Sequence, residues 1–331
     1  MSQKNGQIIV TPPALKKGDM LRIIAPTGGI EFLADSTISH AIYCLEKIGF
    51  KVSFAEHCKE AFEFNTASIN NRLDDLHSAF KDDSVHGILS LIGGLNSIQL
   101  VSKIDYDLIK KNPKFFCGYS DITAVQNAIT ARSNIITYSG PHFQTFGIKH
   151  GNEFTVEHFL SIATGKPSAE FPVAPRWTDD KWYRDQENRT YTDNEGPYVI
   201  SEGKAAGHIV GGNLSTLLLL SGTPYMPDFS DIILIAEEDR AVTFDMFDRM
   251  LESFLLAYGS RVRGIMIGRF QGASEVSKND LQSILKTRPY LSRMPIIADM
   301  DFGHTNPMIT LPIGASITID TSQAHKIRLG K

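Results

Sequence analysis

Phe115-Phe116-Cys117-Gly118-Tyr119-Ser120-Asp121-Ile122-Thr123-Ala124-Val125-Gln126-Asn127-Ala128-Ile129 is the stretch on which the fold turns. Phe115 to Cys117 is a short apolar run of buried-strand character, Gly118 opens a tight turn, and Ile122, Val125, Ala128 and Ile129 recur at helical spacing. A strand that turns sharply into a helix holds the intervening hydroxyl, here Ser120, at an exposed corner. Unpaired N–H groups of the helix N-terminus then point toward any oxyanion that forms there. A plainer reading leaves Ser120 or Asp121 as an N-cap, which such residues favour. The second glycine of G-x-S-x-G is absent, so the α/β-hydrolase form of the motif does not match.

Working outward, the same alternation recurs. Met20 to Ala25 reads as a strand ending at Pro26-Thr27-Gly28-Gly29. Ser36 to Gly49 reads as a helix with Ile38, Ala41, Ile42, Leu45 and Ile48 on one face and Gly49 at its C-terminal end. Lys51 to Phe54 is a second strand, Ile69 to Phe80 a helix, Gly87 to Ile92 a buried strand, and Ile98 to Ile104 a helix. This order predicts an α/β domain whose mostly parallel sheet is covered on both faces. From Ala169 to Gly203 the chain becomes polar and aromatic, and residues 169–203 read as a linker or binding loop between residues 1–168 and 204–331. The second unit runs through strands at Ala205 to Val210, Ile232 to Ala236, Val262 to Ile267, Ile296 to Ala298 and Ala315 to Ile319. Helices are expected at Leu214 to Leu220 and Phe244 to Tyr258.

Composition narrows the function. A chain of 331 residues with 42% hydrophobic and 21% charged residues can bury a full core, and 33 basic against 37 acidic side chains leave a net charge of −4, without the basic excess of a nucleic-acid binder. Neither nucleic acid nor a membrane is an expected partner: no apolar run approaches the ~18–20 residues that span a bilayer. The first residues carry no apolar leader, and the expected address is cytoplasmic. Cys44, Cys58 and Cys117 show no CxxC spacing and are expected as reduced thiols. No GxGxxG, no GxxxxGK[ST] and no HExxH occurs, so neither a nucleotide cofactor nor a metal is expected.

A nucleophilic serine needs a base and a group to orient it. His304 stands out among ten histidines because it lies in a loop rich in glycine and proline, Asp301-Phe-Gly-His-Thr-Asn-Pro307, between late strands. Glu237, Glu238 and Asp239 follow the apolar run Ile232 to Ala236, where a carboxylate can reach a site at the sheet edge; alternation puts Glu237 on the face of Ile233 and Ile235 and Glu238 opposite. Gly93-Gly94, directly after a buried strand, lets the backbone approach a ligand closely.

Pro12 to Pro26, Gly93-Gly94, Gly118-Tyr-Ser-Asp121, Gly211-Gly-Asn-Leu214, Phe247-Asp-Arg-Met-Leu251 and Gly303-His-Thr-Asn-Pro307, in this order, resemble the LD-carboxypeptidase family of serine peptidases over almost the whole chain. Gly93-Gly-Leu-Asn-Ser97 and Trp177-Thr-Asp-Asp-Lys-Trp-Tyr183 are similar to its microcin C immunity branch. The resemblance implies an N-terminal flavodoxin-like or glutamine-amidotransferase-like parallel-sheet domain, a C-terminal α/β domain and a homodimer. It implies a catalytic triad of Ser120, Glu237 and His304, with Glu238 the alternative carboxylate, and backbone N–H groups of Gly94 and Asp121 as oxyanion donors. Gly93, Trp182 and Asn213 are the expected substrate contacts. The family often has a serine at Thr27. The implied substrate is a small peptide, the tetrapeptide stem of murein with its terminal D-alanine; a peptidyl-nucleotide of the microcin type is the alternative. A noncatalytic binding protein on the same fold is a third reading, distinguished by failure of a fluorophosphonate to label Ser120.

Overall fold

The computed structural model describes residues 2–4, 7–168, 171–323 and 326–330. The expected boundary at residue 169 and the first residue of the N-terminal reading lie outside them. Two sheets organise the chain, which is mixed α/β as the sequence indicates. In the N-terminal region β1 (Met20–Ile24), β2 (Lys51–Phe54), β3 (Gly87–Ser90), β4 (Phe115–Gly118) and β5 (Thr137–Ser139) are parallel, in the order β5-β4-β3-β1-β2. β3 and β4 are buried at every position, as expected of strands covered on both faces. Helix α1 (Asp35–Lys47) buries Thr37, Ala41 and Leu45. It ends where Gly49 adopts a φ of +108° and Phe50 N–H returns to the Leu45 carbonyl, a closure that glycine makes without strain. Helices α2 (Ile69–Lys81) and α3 (Thr123–Ser133) follow; α3 is buried along its length except at Arg132.

The C-terminal sheet contains β6 (Tyr198–Ser201), β7 (Lys204–Asn213), β8 (Ile232–Glu237), β9 (Val262–Gly268) and β10 (Ile296–Met300), with β12 (Ser316–Asp320) and β13 (Ile327–Leu329) at one edge. Its central strands β7, β8, β9 and β10 are parallel, and α4 (Leu214–Leu218) and α5 (Phe244–Tyr258) connect them. β11 (Leu311–Ile313) leaves this region and pairs antiparallel with β5, so the late chain adds an edge strand to the first sheet.

Three expectations change. The linker is partly strand: Arg176–Trp177 pairs with Thr192–Asp193, and β6 pairs with β10. Two-residue strands, and a short strand such as β6 whose partner lies about a hundred residues away, leave little local periodicity to read. The helix expected over Ile98 to Ile104 stops at Val101, because Asp105 caps a new helix, Tyr106–Lys111, by accepting from Leu108 N–H at 2.9 Å. The helix from Leu214 ends at Leu218 rather than Leu220. Among the described residues no helix is long and apolar enough to cross a membrane.

Candidate active site

Every residue that shapes the site follows the C-terminal end of a parallel strand, where open α/β sheets place their ligands. Thr27 follows β1, Gly93 and Gly94 follow β3, Ser120 follows β4, Glu237 ends β8, and His304 follows β10.

On the N-terminal side the backbone does most of the positioning. Tyr119 is extended, and Ser120 turns into the left-handed region with φ +59°. For a residue with a Cβ this is unfavourable by about 1–2 kcal/mol and persists only where the surroundings enforce it. They do so here: β4 and α3 are buried on both sides, and Ile122 N–H closes the turn onto the Tyr119 carbonyl at 3.2 Å. A Cβ on Gly93 would stand 3.1 Å from Ser120 Oγ, so glycine leaves the space in front of the hydroxyl open. A Cβ on Gly94 would collide with Thr27 Oγ1. Asp121 accepts Ser97 N–H at 2.8 Å, and Ser97 Oγ donates to the Asp121 carbonyl at 2.6 Å, tying the glycine loop to the turn. Burial pushes the Asp121 carboxyl upward, against the hydrogen bonds from Ser97 and Thr27. The backbone N–H groups of Gly94 and Asp121 meet no acceptor among the described residues.

The C-terminal side supplies the imidazole and the carboxylates. Glu237 and Glu238 are both 2% exposed and face opposite ways. Glu237 Oε2 lies 2.7 Å from His304 Nδ1, and His304 Nε2 lies 3.1 Å from Ser120 Oγ. A Cβ on Gly303, whose φ is +104°, would stand 2.6 Å from Glu237 Oε2, so glycine there permits the close approach. Glu238 instead accepts Asn213 Nδ2 at 3.0 Å and Ser215 N–H at 2.5 Å, and burial, with Glu237 beside it, pushes its carboxyl up to about 7. Burial alone would lower the His304 pKa; the charge and hydrogen bond of Glu237 outweigh it and leave the imidazole raised.

The lobes are registered by α3. Asn127 Nδ2 donates to the Gly211 carbonyl at 2.9 Å, Gly211 N–H returns to Asn127 Oδ1 at 3.2 Å, and Asn213 N–H reaches Thr123 Oγ1 at 3.0 Å. The helix that begins at the serine turn is therefore bonded to the strand beside Glu237, since Asn213 and Glu237 are register partners.

Not every expected contact converges. Asn213 caps α4: its Oδ1 accepts Thr216 N–H at 3.1 Å and its Nδ2 is held by Glu238, so the amide is engaged within the chain. Trp182 is 7% exposed and packs edge-on against Tyr183 at 6.0 Å; its described ring contact is to Tyr183, not to His304 or Tyr119. Tyr183, 53% exposed, is the open aromatic of that loop. Sequence reasoning missed His142. Its ring is buried, stacks on Tyr119 at 4.1 Å, and has Nε2 3.1 Å from the Tyr119 nitrogen, while burial pushes its pKa down to about 3. Nothing in Gly140-Pro141-His142 announces that role. Among the described residues no three of His, Cys, Asp and Glu converge as metal ligands.

The fold and this cleft define a mixed α/β protein with a serine, an imidazole and a carboxylate in one hydrogen-bonded row. Two family models match the chain, the LD-carboxypeptidase N-terminal domain over residues 21–140 and its C-terminal domain over residues 206–319; the chain belongs to the LD-carboxypeptidase family of peptidases. It is 46% identical over 307 residues to the Bacillus subtilis (strain 168) protein named "Putative carboxypeptidase YocD", covering 92% of this chain and 94% of that one. The crystal structure of an MccF-like protein from Bacillus anthracis str. Ames superposes with a TM-score of 0.92 at 44% identity, covering 97% and 98% of the two chains. The microcin C7 self-immunity protein MccF in complex with aspartyl sulfamoyl adenosine superposes with a TM-score of 0.87 at 26% identity, again over 97% and 98%.

Proposed function

We propose that this protein is a serine carboxypeptidase that removes the terminal D-amino acid from a murein tetrapeptide by way of an acyl-enzyme. The observation that carries the reading is the row Glu237–His304–Ser120, with spacings of 2.7 and 3.1 Å, ending on a serine held in the left-handed region. His304 Nε2 takes the Ser120 proton as Oγ attacks the carbonyl of the L-configured residue, and Glu237 stabilises the imidazolium. The N–H groups of Gly94 and Asp121 receive the oxyanion. Protonated His304 then gives its proton to the departing amine of the D-residue. In the second half, His304 deprotonates a water that attacks the ester carbonyl, and collapse returns the proton to Ser120 and frees the acid. This reading places the enzyme in the cytoplasm, as a homodimer, where recycled stem peptides would reach it.

A second reading, hydrolysis of an aminoacyl or peptidyl nucleotide, is supported by the likeness to the sulfamoyl-adenosine complex and by exposed Tyr183, whose ring face would accept a base without a hydrogen-bond code. Incubation with a murein tetrapeptide and, separately, with an aminoacyl sulfamoyl adenosine, followed by mass spectrometry, decides between them. Release of D-alanine as the faster reaction is expected. Release of the nucleotide alone would overturn the murein assignment, and a folded protein that cleaves neither and whose Ser120 resists a fluorophosphonate would overturn the hydrolase.

A further inference from the structure

We propose that Arg269 is a positioning residue for His304, acting through a clamp that residues 174–196 close around the loop carrying the imidazole. The inference rests on the acyl-transfer reading above.

The loop is pinned on both sides of His304, and both pins land on the same distant segment. Three residues before it, Asp301 Oδ2 accepts Ala174 N–H at 2.9 Å and Oδ1 accepts Asn194 Nδ2 at 3.1 Å. Two residues after it, Asn306 exchanges both backbone hydrogen bonds with Thr178, at 2.7 and 2.8 Å. Ile309 N–H closes the base of the loop onto the Asp301 carbonyl at 2.7 Å. The segment first read as a linker is thus the back wall of the base.

Arg269 holds this wall together. It directly follows β9, and its backbone N–H donates to the Met300 carbonyl at 2.9 Å. The guanidinium and Asp301 side chains are each 2% exposed and lie 2.5 Å apart. Its other donors reach Asp299 Oδ1 at 3.0 Å, the Asp299 carbonyl at 3.1 Å and Asn194 Oδ1 at 2.8 Å, and the guanidinium carbon lies over the Trp177 ring, 5.2 Å from its centroid. Asp299 takes a φ of +63°, the left-handed turn that presents both its carbonyl and its carboxylate to the same guanidinium. A planar fork fixes direction as well as charge, which an ammonium group does not. Apolar packing could fill this space but could not prescribe the orientation of a loop rich in glycine and proline.

The charged groups that act on His304 are Glu237, Asp239 and Glu238, from β8 and the turn after it. Tyr119 from the serine turn packs edge-on at 5.2 Å, with neutral His142 behind it. Arg269 is not among these groups, so its removal reaches the imidazole through geometry: a loosened loop carries His304 away from Glu237, the carboxylate that raises its pKa.

Arg269→Met, Arg269→Lys and the milder Asn194→Ala test this. Each is compared with wild type by circular dichroism, by NMR titration of the His304 ring, and by kinetics on a murein tetrapeptide. Folded Arg269→Met is expected to lose roughly a hundredfold in kcat, the scale of a misplaced catalytic group, with KM nearly unchanged. Its His304 titration and the acid limb of its pH profile move together to lower pH, and Arg269→Lys recovers part of both. If Arg269→Met does not fold, Asn194→Ala carries the same readings at smaller amplitude. Folded variants whose His304 titrates as in wild type, or whose loss lies in KM alone, would overturn the proposal. If wild type does not cleave the tetrapeptide, the acyl-transfer reading fails by itself and the NMR titration still decides the role of Arg269.

Discussion

The two halves of the cleft are built by different means. On the N-terminal side, Ser120, Gly93 and Gly94 are placed by backbone: a buried strand, a left-handed serine and glycines that leave room. On the C-terminal side, Glu237 and His304 are placed by side chains, and the imidazole loop is held by Asp301, Arg269 and a segment more than a hundred residues earlier. A backbone-built site tolerates little change because any added atom enters the reaction space. A network-built site can lose one member and sag. The sharpest contrast is therefore between substitutions that delete a reacting atom and those that relax a support.

Ser120→Ala is expected to have the largest effect. Removing the nucleophile of a serine enzyme lowers kcat by about 10⁴–10⁶, and circular dichroism should show an unchanged fold because alanine relieves no packed contact. A rate within tenfold of wild type would mean that the serine row is not the reaction centre.

The carboxylates give the next test, and it bears on one side only. Glu237→Gln keeps the shape but cannot stabilise an imidazolium, so kcat should fall by about 10²–10⁴; Glu238→Gln, turned toward Asn213 and Ser215, should fall by less than about tenfold. Equal, mild losses would place both groups outside the row. A smaller effect, roughly hundredfold in kcat, is expected of Gly94→Ala, because the new methyl meets Thr27 Oγ1 and would shift the N–H proposed to receive the oxyanion. Combining it with Thr27→Ala, which removes the Oγ1 that the new methyl meets, tests whether that crowding is the cause: recovery of rate assigns the loss to the collision, and no recovery overturns that explanation.

How much of this was legible follows the same division. Phe115 to Ile129 announces strand, turn and helix because its pattern is contiguous, and the structure runs β4, a turn and α3 there. Alternation along Ile232 to Ala236 separates Glu237 from Glu238 for the same reason: one strand, one period, two faces. Arg269, Asn194 and His142 carried no signal, since each acts on a neighbour that is distant in sequence and belongs to no periodic run. β6 and β11 were missed because a strand of three or four residues is defined by its partner, and their partners are β10 and β5. Asn213 shows the remaining difficulty: a motif position can be spent on a helix cap, and only the hydrogen bonds reveal it.

The smallest effect concerns stability and isolates Glu238 from Glu237. Glu238 titrates at about 7 in the folded chain against an ordinary value near 4.5. Between those two values the folded state holds a proton that the unfolded state has released, so this group's contribution to stability falls as pH rises from about 4.5 to 7 and is flat outside that window. A shift of this size corresponds to roughly 3 kcal/mol. Glu238→Gln should therefore flatten the decline in melting temperature between about pH 4.5 and 7, while leaving the acid limb of activity, which the proposed mechanism assigns to His304, close to where it was. A variant that moved the activity limb and kept the stability slope would reverse the two carboxylates' roles, making Glu238 the dominant charge on the imidazole.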